Sequence, residues 1–115
     1  MSIWTHVAGI IRIDDMRCFH TKNPKCEIKK VINTTPTGSE GGLKYNIYIN
    51  PNKTHLAAYV VSIWGDLRDY KNSDEVKNWF MDLCDKLGET FCGIRNAVIT
   101  IEVDGNETIT EIYKR

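Results

Sequence analysis

From Ile3 to Ile13 the chain alternates. Ile3, Val7, Ile11 and Ile13 share one parity, and Trp4, His6, Ala8, Ile10 and Arg12 the other. Period-two alternation rich in β-branched residues predicts a strand. Leu43, Tyr45, Ile47 and Ile49, alternating with Lys44, Asn46 and Tyr48, predict a second one. After a turn over Asn50-Pro51-Asn52-Lys53 comes Leu56–Trp64, apolar almost throughout, which reads as a central strand covered on both faces and hairpinned to the second. Ala97–Val103 predicts a fourth strand. Asp104-Gly105 then supplies a two-residue hairpin loop of type I′, so that residues 106–113 return as a polar edge strand.

The helical period is clearest after Asn72-Ser73-Asp74-Glu75, a run of capping oxygens and negative charge suited to a helix start. Val76, Trp79, Phe80, Leu83, Cys84 and Leu87 then follow the i, i+3, i+4, i+7 spacing, and Gly88 stands where a terminating glycine belongs. Residues 14–42 have no sustained period. Asp14-Asp15 can open a short helix through Phe19, and Cys26–Ile32 reads as a helical turn or an edge strand. Asn23-Pro24 and Thr35-Pro36 interrupt the stretch. The order strand, weak helix, strand, strand, helix, strand, with one added strand, predicts a single α+β domain over 1–115. Its fold class is a ferredoxin-like βαββαβ antiparallel sheet with an added C-terminal hairpin strand. Such a sheet leaves one face for solvent, a ligand or a second subunit, and a homo-oligomer burying that face is expected.

Composition narrows the function classes. A chain of 115 residues with 42% hydrophobic and 26% charged residues is an ordinary globular domain. Fifteen basic residues balance fifteen acidic ones, which argues against sequence-independent binding of nucleic acid. No signal peptide or membrane-spanning apolar run stands out, so a cytoplasmic protein without membrane association is expected. Cys18, Cys26, Cys84 and Cys92 then read as reduced thiols. Their spacing matches no zinc motif, and no metal or cofactor is expected.

Three features are candidates for chemistry. Thr37-Gly38-Ser39-Glu40-Gly41-Gly42 permits positive φ and a nest of N–H groups for a phosphate, or else forms a flexible loop at a strand entry. It lacks the Gly-Lys-Ser/Thr of a P-loop. Arg68, between Asp66 and Asp69, reads either as a salt-bridged turn joining the third strand to the main helix or as an arm for a phosphate. Trp4 and His6, with Arg12 and Tyr45, offer stacking and hydrogen bonding from the sheet. No catalytic order can be built around His6, His20 or His55. The expected ligand is a nucleotide or another small phosphorylated molecule. A small ferredoxin-like enzyme is an alternative that no residue set supports.

The segments Ile3-Trp4-Thr5-His6-Val7, Gly9-Ile10-Ile11-Arg12, Gly38-Ser39-Glu40-Gly41 and Ser62-Ile63-Trp64-Gly65-Asp66-Leu67-Arg68-Asp69-Tyr70 resemble those of small bacteriophage-encoded proteins. The likeness covers most of the chain outside Asp15–Asn33. It implies a context rather than a mechanism: an accessory protein in the host cytoplasm that counters defence by binding. Two modes are open, sequestration of a nucleotide signal and inhibition of a host defence protein in the anti-CRISPR manner, with Trp4, Tyr45 and Tyr48 as possible anchors.

Overall fold

The computed structural model describes residues 2–15, 23–52, 56–70 and 72–114. The elements run β1 (Trp4–Ile13), α1 (Pro24–Val31), β2 (Leu43–Ile49), β3 (Tyr59–Arg68), α2 (Ser73–Phe91), β4 (Ile94–Val103) and β5 (Ile109–Ile112). The strands form one sheet in the order β2-β3-β1-β4-β5, and each neighbouring pair is antiparallel. This is the ferredoxin-like arrangement, extended by β5 at the β4 edge.

Parity decides the two faces. Val7, Ile11 and Ile13 of β1 lie on the same side as Val61, Ile63 and Leu67 of β3 and Ala97, Ile99 and Ile101 of β4. All nine are buried. Against them α2 sets Val76, Phe80, Leu83, Cys84, Leu87 and Phe91, the stripe its period predicts. Tyr59 and Phe91 meet with ring centroids 5.1 Å apart, and the Tyr59 hydroxyl donates to Asp15 at 2.7 Å inside this core.

Several boundaries differ from the sequence expectation. Proline does not interrupt α1 but begins it: Pro24 occupies the first turn, where no N–H is needed, and the Asn23 side chain accepts from Cys26 N–H. Asp14 and Asp15 are not helical, and the expected helix beyond them, like Cys18, His20 and His55, falls outside the described residues. Helix α2 passes through Gly88, which is buried, and ends with Cys92 in the left-handed region. Strand β3 is central but covered on one face only; Trp64 is 45% exposed. It also continues through Gly65-Asp66-Leu67-Arg68, read from composition as a connection. The β4–β5 link is not a two-residue hairpin, because pairing resumes only at Ile101–Ile109. Asp104 instead extends the β1–β4 ladder, donating its N–H to the Trp4 carbonyl at 2.9 Å.

Candidate functional site

Among the described residues no helix lies over the even-numbered side of the sheet, and its polar chemistry gathers at one end. His6 stands opposite Asp66 of β3 on one side and Glu102 of β4 on the other. Its Nδ1 lies 2.6 Å from an Asp66 carboxylate oxygen and its Nε2 2.7 Å from one of Asp104. Asp104 reaches back from the β4–β5 turn and also accepts the Trp4 N–H at 3.1 Å. The paired carboxylates raise the His6 pKa above its ordinary 6.5, Asp66 most and then Asp104, against a smaller opposing effect of desolvation. The same contact, with the Trp4 N–H, holds the Asp104 carboxyl below its usual range.

Among the described residues, His6, Glu102 and Asp104 carry donor atoms of the kinds that ligate metals, all within 4.8 Å of one another. Nε2 and Asp104 stand 2.7 Å apart, at hydrogen-bond distance, whereas two ligands about 2.1 Å from one ion stand roughly 3 Å apart or more. We read the group as a hydrogen-bonded cluster and assign no metal to it.

Beside the cluster, towards β2, lies an open groove of about 400 Å³. Trp4 and Trp64 contribute two indoles, Gly41, Gly42 and Gly65 contribute backbone, and Glu40, Lys44 and Asp66 supply charge. Trp64 pairs with Lys44 on one side and Ala8 on the other, so alternation alone sets the indole, the ammonium and a small floor residue in one row. Asp66 belongs to both groove and cluster. A second hollow of about 280 Å³ lies across His6, lined by Ala8, Thr100, Glu102 and Thr108 among others.

The glycine-rich loop shapes the groove wall instead of forming an open nest. Thr37 bridges to Gly42. The Gly38 N–H donates to the Gly41 carbonyl at 3.2 Å and the Ser39 N–H to the Arg68 carbonyl at 3.0 Å, while the Arg68 N–H returns to the Glu40 carbonyl at 3.0 Å. The Gly38 and Ser39 N–H groups therefore close the loop on itself and on β3 and do not converge on an anion. Two glycines permit the contact: a Cβ on Gly38 would stand 2.5 Å from the Arg68 carbonyl oxygen, and Gly41 holds φ at +79° with a would-be Cβ 2.3 Å from the Asp66 carbonyl oxygen.

Arg68 completes this clasp. Its guanidinium donates to Glu40 at 2.8 Å and to Ser2 at 2.9 Å, with Asp69 at 3.9 Å. Ser39 in turn donates its hydroxyl to Asp69 at 3.0 Å. The salt-bridged reading of Arg68 is the one this geometry follows, with Glu40 and not Asp66 as its nearest carboxylate. Glu40 thus meets a guanidinium.

Of the residues singled out from sequence, Trp4, His6, Glu40, Gly41 and Gly42 come together, and Thr37, Gly38, Ser39 and Arg68 brace them. Two do not join. Arg12 is six residues along β1 from His6, about 20 Å away at ~3.3 Å per residue, where it donates to Asn96 at 3.2 Å. Tyr45 has the odd parity of the covered face, packs partly against the core, and lines a separate hollow with Lys25 and Lys29. Sequence reasoning missed Lys44, Trp64, Asp66, Glu102 and Asp104. Trp64 lies inside the predicted third strand but reads there as covered on both faces, and parity would have found Asp66 had that strand been extended; nothing in the sequence aims Asp104 at His6.

No protein-family model and no curated protein matches the chain. Two solved structures of phage SAM lyase share its outline. The apo form aligns with a TM-score of 0.38 at 10% identity over 97% of this chain and 90% of that one. The complex with S-methyl-5′-thioadenosine aligns with a TM-score of 0.40 at 14% identity over 95% and 90%. At these values the likeness bears on neither activity nor site.

Proposed function

We propose that this protein acts by binding a small nucleoside-like ligand in the groove between Trp4 and Trp64. One observation carries the reading: two indoles, 45% of one of them exposed, flank a roomy groove whose rim holds hydrogen-bonding charge from Asp66, Glu40 and Lys44. Aromatic faces suit a planar base, with stacking of the order of 1–3 kcal/mol per base. Carboxylates accept from sugar hydroxyls or amino groups. The groove also revises the ligand expected from sequence. Among its lining residues Lys44 stands against Asp66 and against Glu40, which Arg68 already neutralises, so the groove offers a phosphate little net attraction and suits an uncharged nucleoside.

The phage resemblance supplies a setting for such binding. An accessory protein in a host cell can act by sequestering a nucleoside-derived signal without turning it over. The test is a thermal-shift and tryptophan-fluorescence screen against nucleosides, mono-, di- and cyclic nucleotides, and S-methyl-5′-thioadenosine. We expect unphosphorylated nucleosides to raise the melting temperature more than their phosphates, and Trp64→Ala to abolish the shift. A response unchanged in Trp64→Ala sinks the groove as the binding site.

A second reading rests on the same open face. Tyr48, Trp64 and Ile112 are 54%, 45% and 59% exposed and share its parity, an arrangement suited to docking on a host protein or a second copy. A flat ligand screen, with Tyr48→Ser abolishing capture of a purified host partner, would favour it.

A further inference from the structure

Both ring nitrogens of His6 face carboxylate oxygens, at 2.6 Å towards Asp66 and 2.7 Å towards Asp104. A carboxylate only accepts. Both contacts are therefore hydrogen bonds only when both nitrogens carry protons, that is, in the imidazolium. A neutral ring keeps one N–H and turns a lone pair on the other carboxylate.

The two carboxylates are not held alike. Asp104 accepts the Trp4 N–H with its second oxygen and donates its own N–H to the Trp4 carbonyl, so the backbone keeps it in place. The Asp66 side chain, 62% exposed, has its hydrogen bond with His6. When His6 loses a proton, the Nε2–H bond to Asp104 is the one retained. Asp66 is then left without a counter-charge, on the wall of the groove.

We propose that His6 is a proton switch for the groove: its imidazolium neutralises Asp66, and its deprotonation turns Asp66 into a free carboxylate beside Trp4 and Trp64. This deepens, and rests on, the reading of the groove as a ligand site. The charged groups facing the ring are Asp66 from β3, Glu102 from β4 and Asp104 from the following turn. Across the groove stand Lys44 of β2 and Glu40, which is occupied by Arg68. Below the His6 midpoint the groove is close to neutral. Above it, the groove prefers a cationic ligand.

The test has two arms on the full chain. In the first, NMR follows the three histidine rings against pH, with His6 assigned from His6→Asn. The expected result is a His6 midpoint above the ordinary histidine value that falls in Asp66→Asn. A midpoint that Asp66→Asn leaves unmoved overturns the switch, whether or not any ligand binds. In the second, affinities for adenosine and for an analogue with a quaternary ammonium at its 5′ carbon are measured on either side of that midpoint. The preference for the cationic analogue should grow about threefold with pH, as for one exposed ion pair, and should be pH-independent in Asp66→Asn. Binding of both at a fixed ratio overturns the switch and leaves the groove intact. Binding of neither at any pH overturns the groove, and the first arm alone then decides the switch.

Discussion

The two faces of the sheet are written by the same strands in alternate residues, yet they obey different rules. On the covered face, β1 sets Val7, Ile11 and Ile13 under α2, and interior packing selects them for volume and shape. On the open face the intervening residues include Trp4, His6 and Arg12, and no single requirement runs along the strand. At one end His6 gathers Asp66 and Asp104; at the other Arg12 meets Asn96. The covered face stabilises the molecule, and the open face leaves its chemistry available. A substitution on the covered face should therefore cost the most stability, and one on the open face less.

The largest expected effect lies on the covered side. Phe80 is fully buried, so Phe80→Ala should cost about 3–5 kcal/mol in chemical denaturation. A cost below ~1 kcal/mol would mean the core closes over the gap. Gly41→Val comes next, at the clasp that joins the open face to its loop. Its φ of +79° and the 2.3 Å approach to Asp66 predict a loss of roughly 1–3 kcal/mol together with a displaced groove wall. Unaltered stability there would show that the loop is free to move off β3.

A smaller effect depends on pH. The His6 pKa is raised, so the stability this contact contributes is fully present below about 6.5 and is lost as pH rises through the raised value. The Asp104 pKa is lowered, so its share is lost as pH falls through that lowered value. The melting temperature of wild type minus that of His6→Asn should therefore be greatest in mildly acidic buffer and shrink towards alkaline pH. A difference that grows with pH would invert the assignment. Glu40→Gln, removing an exposed partner of Arg68, should cost no more than about 1 kcal/mol.

The last contrast is one of rate. Cys84 is buried under α2, and burial pushes its thiol up to about 12, with Asp85 adding to the shift; Cys26 and Cys92 are exposed. A thiol reagent should modify Cys26 and Cys92 rapidly and Cys84 only on unfolding. Fast labelling of Cys84 in the folded protein would show that the covered face opens.

Much of this was legible in the chain. The alternation in 3–13, the hairpin of β2 and β3, the Asn72 cap and the apolar stripe of α2 are local patterns, and local patterns survive folding. The errors fell where one residue serves two readings. Asn23-Pro24 looks like a breaker and is a helix start, because proline is harmless only in the first turn. Gly65-Asp66 looks like a turn, yet both pair with β1, and Gly65 with β2 as well, which keeps the backbone in the sheet. Asp104-Gly105 looks like a minimal hairpin, but Asp104 pairs with Trp4 and the turn lengthens.

The sequence by itself determined the five strands and the main helix, the α+β class and the parity that separates Trp4, His6 and Arg12 from Val7, Ile11 and Ile13. These follow from the periods of strand and helix, which neighbouring residues set. Only the tertiary structure decided which parity lies beneath α2, and which distant residues share an end of the open face. Asp66 and Asp104 are separated from His6 by 60 and 98 positions, and only strand order and register bring their carboxylates to its ring. The same register sends Arg12 to the far end of β1 and Tyr45 to the other face, so residues equally prominent in the sequence end in different places.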